Sequence, residues 1–410
     1  MRLPSVSGPI ARRFMTAATD SAARGFQRDR FTWYAYLLLS YYAYVTSLQG
    51  NIIPYLKAEL HLTYAEVGLH PSAIAVGFIF VGLFGEPILA RFGRATIFIA
   101  AAYGSAAGLL LLSLAPAAWA SIGACLIIGC FGAFIPATVS AVLSDVYGRY
   151  RDIAYAEANA LCYAFSIMAP LLTALAAALH WNWRLGLLAG ALVAVFIVRR
   201  YRGTPVPGSL PATKMSRGEA RLPPAYWAFW TVLALSVALE YCAILWAPAY
   251  FEQVGGFSAS AAAAGAGLFF VGMLVGRFVG ITLIRLYPAR PLFLASCALT
   301  LVGFAAYWLV SAPLLGLLGL LVIGLGIANM YPLAIGFCMA AAGGTSARAS
   351  GRAIIAPGVA ILLNPPLLGT IADDFGLHAA QLVIPAFLVV TLIALALAIT
   401  FQRRVRAVGP

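Results

Sequence analysis

Five ionisable side chains interrupt stretches that are otherwise almost wholly apolar: Glu86, Glu157, Glu240, Arg277 and Arg352. They are the residues most able to do chemistry. Glu240, in SVALEYCAILW, has no basic residue near it in the sequence. A carboxylate taken out of water can bind and release a proton near neutral pH, which is what coupling to a proton gradient requires. The alternative is a neutral acid hydrogen-bonded to a neighbouring helix. Other chemistries find no support. The four histidines are scattered, and Cys125, Cys130, Cys162, Cys242, Cys297 and Cys338 form no C-x-x-C pair. Neither a metal site nor a disulfide framework is indicated. There is no G-x-x-x-x-G-K-[ST] stretch, so this chain alone does not pump at the expense of a nucleotide. No catalytic constellation is present; neither an enzyme nor a cofactor is expected.

Composition says what must position those residues. Of 410 residues 63% are hydrophobic and 10% charged, and the mean hydropathy is +0.93. About 20 apolar residues per span suit a bilayer core about 30 Å thick. Twelve such spans are predicted, at roughly 31–55, 64–90, 95–114, 118–143, 154–179, 183–200, 225–250, 260–285, 290–310, 314–341, 350–372 and 379–401. The runs are continuously apolar and longer than ordinary strands, which predicts helices rather than a barrel. The expected fold class is an all-α membrane protein.

The basic excess, 26 Lys and Arg against 13 Asp and Glu for a net charge of +13, is placed by topology. With both termini inside, Lys57 and Arg184 are the two basic residues outside, and the other 24 fall in tails, inner loops or inner helix ends. That is the positive-inside pattern. It predicts cytoplasmic termini and a multi-pass protein of the cell inner (plasma) membrane, with the lipid bilayer as partner and no nucleic acid. Residues 1–30 lack the 7–15-residue apolar core of a secretory signal and read as a disordered cytoplasmic tail. Their Arg- and Ser-rich composition also fits a transit peptide. Residues 199–224, RRYRGTPVPGSLPATKMSRGEARLPP, read as a cytoplasmic linker. The expected organisation is therefore a tail at 1–30, six helices in 31–198, a linker at 199–224, six helices in 225–401 and a tail at 402–410.

The two halves repeat. FVGLFGEPILARFGR at 80–94 returns as FVGMLVGRFVGITLIR at 270–285, with Gly85 on Gly276, Glu86 on Arg277 and Arg94 on Arg285 at an offset of 191. Pro54 and Pro248 match at 194, Pro136 and Pro332 at 196, and Pro170 and Pro366 at 196. The first copy resembles the loop after the second helix of the major facilitator superfamily, roughly G-x-x-x-D-R-x-G-R-R. Leu89, Ala90, Arg91, Phe92, Gly93 and Arg94 keep its tail, and the acidic residue before the first arginine is missing. The resemblance covers the chain after residue 30 and implies two parallel six-helix pseudo-repeats around a midplane site. Two marks of the superfamily's proton-driven exporters are missing. No arginine stands near Cys125, and APLLTAL at 169–175 lacks the exporter glycines.

In that fold the second helix packs on the eleventh and the fifth on the eighth. The resemblance therefore implies cytoplasmic gate pairs Glu86–Arg352 and Glu157–Arg277, of opposite sign and related by pseudo-symmetry. An unpaired charge at depth in a bilayer is costly. Arg277 has a second reading. It lies eight residues before Arg285, about 12 Å deeper at 1.5 Å per residue, where the superfamily's nitrate and oxalate branches place an arginine on the substrate.

The remaining candidates are uncharged. Tyr41, Tyr42 and Tyr44 lie deep enough in the first span to need polar partners, and Tyr41 or Tyr44 is a candidate to face a substrate. Asn329 and Tyr331 beside Pro332, and Asn364 before Pro365-Pro366, stand at helix breaks. Such amides either satisfy freed carbonyls or build a site. The resemblance and these residues imply a monomeric secondary transporter working by alternating access. It takes up a small polar solute, anionic or zwitterionic, with protons coupled through Glu240. Proton-driven export of a metabolite, siderophore or drug is the alternative, and a non-transporting membrane sensor or assembly subunit the alternative of another class.

Overall fold

A computed structural model describes residues 27–147, 150–207, 222–309, 312–342, 349, 352–353 and 355–407. The tail expected at 1–30 and the linker expected at 199–224 lie for the most part outside these residues. α1 (Arg30–Leu60) begins ahead of residue 31, and Asp29 caps it in a reciprocal box with Thr32.

Eleven further helices follow: α2 (Tyr64–Phe92), α3 (Arg94–Ser113), α4 (Ala118–Tyr147), α5 (Arg151–Ala178), α6 (Leu185–Arg200), α7 (Pro224–Gln253), α8 (Ala259–Leu286), α9 (Ala289–Trp308), α10 (Pro313–Ala341), α11 (Ile355–Ala380) and α12 (Val383–Ala407). The described secondary structure is helical throughout, as the apolar runs require: in lipid each backbone polar group must be satisfied within its own segment. Among the described residues, ten helices are long and apolar enough to cross a membrane by themselves. α6 has only 16 residues, and α1 carries a run of tyrosines, serines and amides along its length.

α1–α6 and α7–α12 form two bundles, and the sequence repeat reappears as packing. In the first, α2 meets α4 so closely that a Cβ at Gly129 would lie 2.4 Å from the Ile74 carbonyl oxygen; in the second, α8 meets α10 so that one at Gly324 would lie 2.3 Å from the Phe269 oxygen. Gly129 and Gly324 stand 195 residues apart, as do Ile74 and Phe269. Small residues that let backbones touch are how helices pack where lipid removes the hydrophobic driving force. The same offset relates the breaks. α4 is interrupted at Ala133 and α10 at Ala328–Asn329, three residues before Pro136 and Pro332.

Across the seam between the bundles, α2 packs on α11, α5 on α8 and α1 on α7. The seam is tight on the face away from the chain termini. Gly68 abuts the backbone of Pro365 and Pro366, Gly369 that of Tyr64 and Ala65, and Gly50 that of Ile244. The Asp373 carboxylate accepts from the amides of Tyr64 at 2.7 Å and Ala65 at 2.8 Å, capping α2 from the other bundle. The Tyr64 hydroxyl bonds to Gln253, and Ser72 donates to the Leu362 carbonyl at 2.7 Å. On the terminal face the seam is loose: Glu86 and Arg352 are exposed, and a Cβ at Gly82 would meet nothing within 4 Å.

Candidate functional site

Four helices bring polar side chains together in the middle of the molecule. Arg277 on α8 donates through Nε to the Tyr163 hydroxyl on α5 at 3.0 Å. Among the described residues its two terminal nitrogens have no protein acceptor, and the side chain lines a cavity of about 230 Å³ between α5 and α8. Glu240 on α7 lies within electrostatic reach of Arg277, beyond ion-pair contact. Tyr163 and Tyr331, the latter on α10 just past its break, both lie within reach of Arg277 and Glu240. The Glu240 carboxylate has no hydrogen-bond partner among the described residues. Periodicity places these groups: Tyr155, Asn159 and Tyr163 follow at four-residue intervals along the face of α5 that opposes Leu274, Arg277, Phe278 and Ile281.

This arrangement changes one reading. Glu240 has no mate in sequence, yet the fold sets Arg277 beside it. The two groups expected to act separately, one on protons and one on an anion, therefore share a site. With Glu240 neutral, Arg277 offers an uncompensated positive charge and a two-pronged set of donors of the kind carboxylates accept. With Glu240 ionised, that charge is largely offset.

The other candidates fall into two groups. Asn329 donates to the Gly276 carbonyl at 2.9 Å, bracing the break in α10 against α8. Asn364 donates to the Ala238 carbonyl at 2.9 Å and contacts Cys242, tying α11 to α7. Both amides are buried and occupied by backbone. Tyr41 bonds through its hydroxyl to Ser105 at 3.1 Å on α3, and Tyr44 donates to the Gly186 carbonyl at 2.7 Å on α6. Both point into the first bundle, away from the cluster. Residues that sequence reasoning left out are Tyr163 and Tyr42. Tyr42 lies between its two nominated neighbours; its buried hydroxyl has no partner among the described residues, and it lies within reach of Tyr241 on α7. An unpartnered phenol at depth is a usable signal, but α1 presents tyrosines on every side, so spacing could not select this one.

Among the described residues, the charges expected to gate the terminal face form no ion pair across the seam. Glu157 is held within its own bundle, where Arg28 reaches it through Nε at 2.8 Å and through a terminal nitrogen at 2.5 Å, and Tyr36 donates to it at 3.4 Å. Arg28 precedes α1, in the segment expected to be tail. Glu86 and Arg352 are both exposed. At the opposite face Arg184 pairs with Glu59, whose carboxylate also accepts from Trp183 at 3.2 Å. Trp183 and Arg184 thus anchor that end of α6.

The pattern of the Major Facilitator Superfamily matches residues 35–356. Solved structures repeat the fold over nearly the whole chain. A bacterial homolog to the human lysosomal transporter Spinster, in an inward-facing and occupied conformation, is 15% identical with a TM-score of 0.72, covering 92% of this chain and 98% of its own. A peptide transporter in complex with sulfate is 16% identical with a TM-score of 0.72, covering 94% and 99%. A D-xylose–proton symporter is 15% identical with a TM-score of 0.71, covering 91% and 96%. At these identities the likeness is one of fold. No curated protein matches the chain.

Proposed function

The chain belongs to the Major Facilitator Superfamily and is a membrane transporter rather than an enzyme; on that premise we propose that it couples uptake of a small organic anion to protons through Arg277 and Glu240. The observation that carries this reading is the pair of unclaimed terminal nitrogens on Arg277, aimed into a cavity beside an unbonded carboxylate. Arg277 and Glu240 are half-buried with hydrogen-bonding capacity to spare, and a ligand on the one and a proton on the other would fill it. An anion binds Arg277 best when Glu240 is protonated, because the carboxylate's charge then no longer competes for the guanidinium. Each site thereby raises the other's affinity, and the linkage is reciprocal. For a monoanion the cycle carries one proton and no net charge.

The terminal face is the cytoplasmic one, since 24 of the 26 basic residues fall on that side, and the membrane is the cell inner membrane. The cavity opens toward this face while α2 and α11 seal the other. Alternating access then breaks the contacts of Gly68, Gly369, Ser72 and Asp373 and closes the terminal half of the seam. There Glu157 exchanges Arg28 for Arg277, and Glu86 meets Arg352. Arg277 thus serves as ligand when the face is open and as gate when it is shut.

Proteoliposomes test the coupling. Glu240→Gln keeps the size of the protonated acid and cannot release a proton. Accumulation driven by an imposed pH gradient should be lost, while exchange across preloaded membranes persists. Gradient-driven uptake by Glu240→Gln equal to the parent's would remove Glu240 from the mechanism.

A further inference from the structure

The cavity beside Arg277 has two unlike walls, and their difference bears on what fills it. α5 contributes polar residues whose hydrogen-bonding capacity is partly taken up within the protein. The Tyr155 hydroxyl donates to the Ser140 carbonyl, the Asn159 amide nitrogen donates to the Tyr155 carbonyl at 2.8 Å, and the Tyr163 hydroxyl accepts from Arg277. α8 contributes Leu274, Phe278 and Ile281. Their side chains offer only apolar surface to the cavity. Among the described residues, the hydrogen-bonding groups left to a ligand are the terminal nitrogens of Arg277, the Tyr163 hydroxyl hydrogen, and the carbonyl oxygen and second amide hydrogen of Asn159.

A solute with many hydroxyls or amides would exchange well-solvated groups for an apolar wall, and each unpaired polar group would weaken binding. An anion with an apolar body would not. The charge count limits it further: one guanidinium, with Glu240 next to it, accommodates one negative charge, and a second carboxylate would face either Glu240 or the apolar wall. Space is adequate for a ring and a short chain. The lining runs from Tyr163 to Tyr155, eight residues or about 12 Å along the helix, in a cavity of about 230 Å³.

We infer that the substrate is an amphipathic monoanion, its carboxylate on Arg277 and its apolar body along Leu274, Phe278 and Ile281 toward the terminal face. The inference rests on the anion site proposed above and adds the substrate class. Calorimetry on the full chain in nanodiscs, at a pH low enough to favour a protonated Glu240, uses three probes: 3-phenylpropanoate, acetate and succinate. Phenylpropanoate should bind at least tenfold more tightly than the other two. Phe278→Ser and, independently, Ile281→Ser should each cut the preference for phenylpropanoate over acetate by about fivefold to tenfold, from roughly 40–60 Å² of lost apolar contact at about 25 cal/mol per Å². Arg277→Lys should weaken both monoanions, because the planar fork is lost. Acetate or succinate binding as tightly as phenylpropanoate, while still sensitive to Arg277→Lys, overturns the substrate class and leaves the anion site standing. No binding by any probe, or binding indifferent to Arg277→Lys, overturns both.

Discussion

Replacing Asp373 by alanine removes a carboxylate that reaches across the tight face of the seam to cap a helix in the other bundle. Its oxygens lie 2.7 and 2.8 Å from the amides of Tyr64 and Ala65, at the positive end of the α2 dipole. Hydrogen bonds to a charged group are worth about 1.5–3 kcal/mol each. Asp373 is exposed, however, and water replaces much of what is lost, so a discounted total of about 1–2 kcal/mol is appropriate. At about 1.4 kcal/mol per factor of ten, the balance between closed and open states of this face should shift by roughly fivefold to thirtyfold toward open. Spin labels at Ala58 and Ala261, both exposed near this face on opposite sides of the seam, report the shift as a growing long-distance population in a background lacking the native cysteines. Asp373→Asn keeps an oxygen acceptor without the charge and should fall between parent and alanine. Raising the ionic strength should narrow the gap between parent and Asp373→Asn, since exposed charges are screened within about 8–10 Å. A distance distribution unchanged in Asp373→Ala would show that the glycine packing and the Ser72 and Tyr64 hydrogen bonds hold the face shut without Asp373.

The gate pairs make a complementary prediction. With the terminal face closed, cysteines replacing Glu86 and Arg352 should crosslink, and Arg28→Ala, by freeing Glu157 for Arg277, should raise the population of that closed state; distances that stay long in both experiments exclude the gate. Gly324→Leu should destabilise the second bundle by several kcal/mol, because even a Cβ there would stand 2.3 Å from the Phe269 oxygen and overpacking a close crossing costs about 1–3 kcal/mol or more. Gly82→Leu, with nothing within 4 Å of a Cβ, should leave thermal unfolding in detergent unchanged, and the two variants measured side by side check the packing. Asn364→Leu should lower stability by about 1–3 kcal/mol by orphaning the Ala238 carbonyl, and a loss of substrate binding without loss of stability would return Asn364 to the site.

The sequence alone determined the helices, the duplication and the depth of the charges. Apolar runs of about 20 residues must span as helices because lipid offers no partners to a backbone. An offset near 195 must recur in space because related halves pack alike, as Gly129 on Ile74 and Gly324 on Phe269 do. Arg277 could be placed two turns above the helix end by rise per residue alone. Only the tertiary structure decided which way the polar groups on those helices face. Tyr41, Tyr42 and Tyr44 are equivalent by composition, yet two bond within the first bundle and the third is left without a partner among the described residues. A helix apolar all round carries no periodic signal to say which face meets which neighbour. The partners of the charges were hidden for a related reason. Glu240 came within electrostatic reach of Arg277, and Glu157 bonded to Arg28, across 37 and 129 residues of chain. Which residues meet across such separations follows from the packing of whole helices, so no reading of the chain in order could say which partner each charge holds.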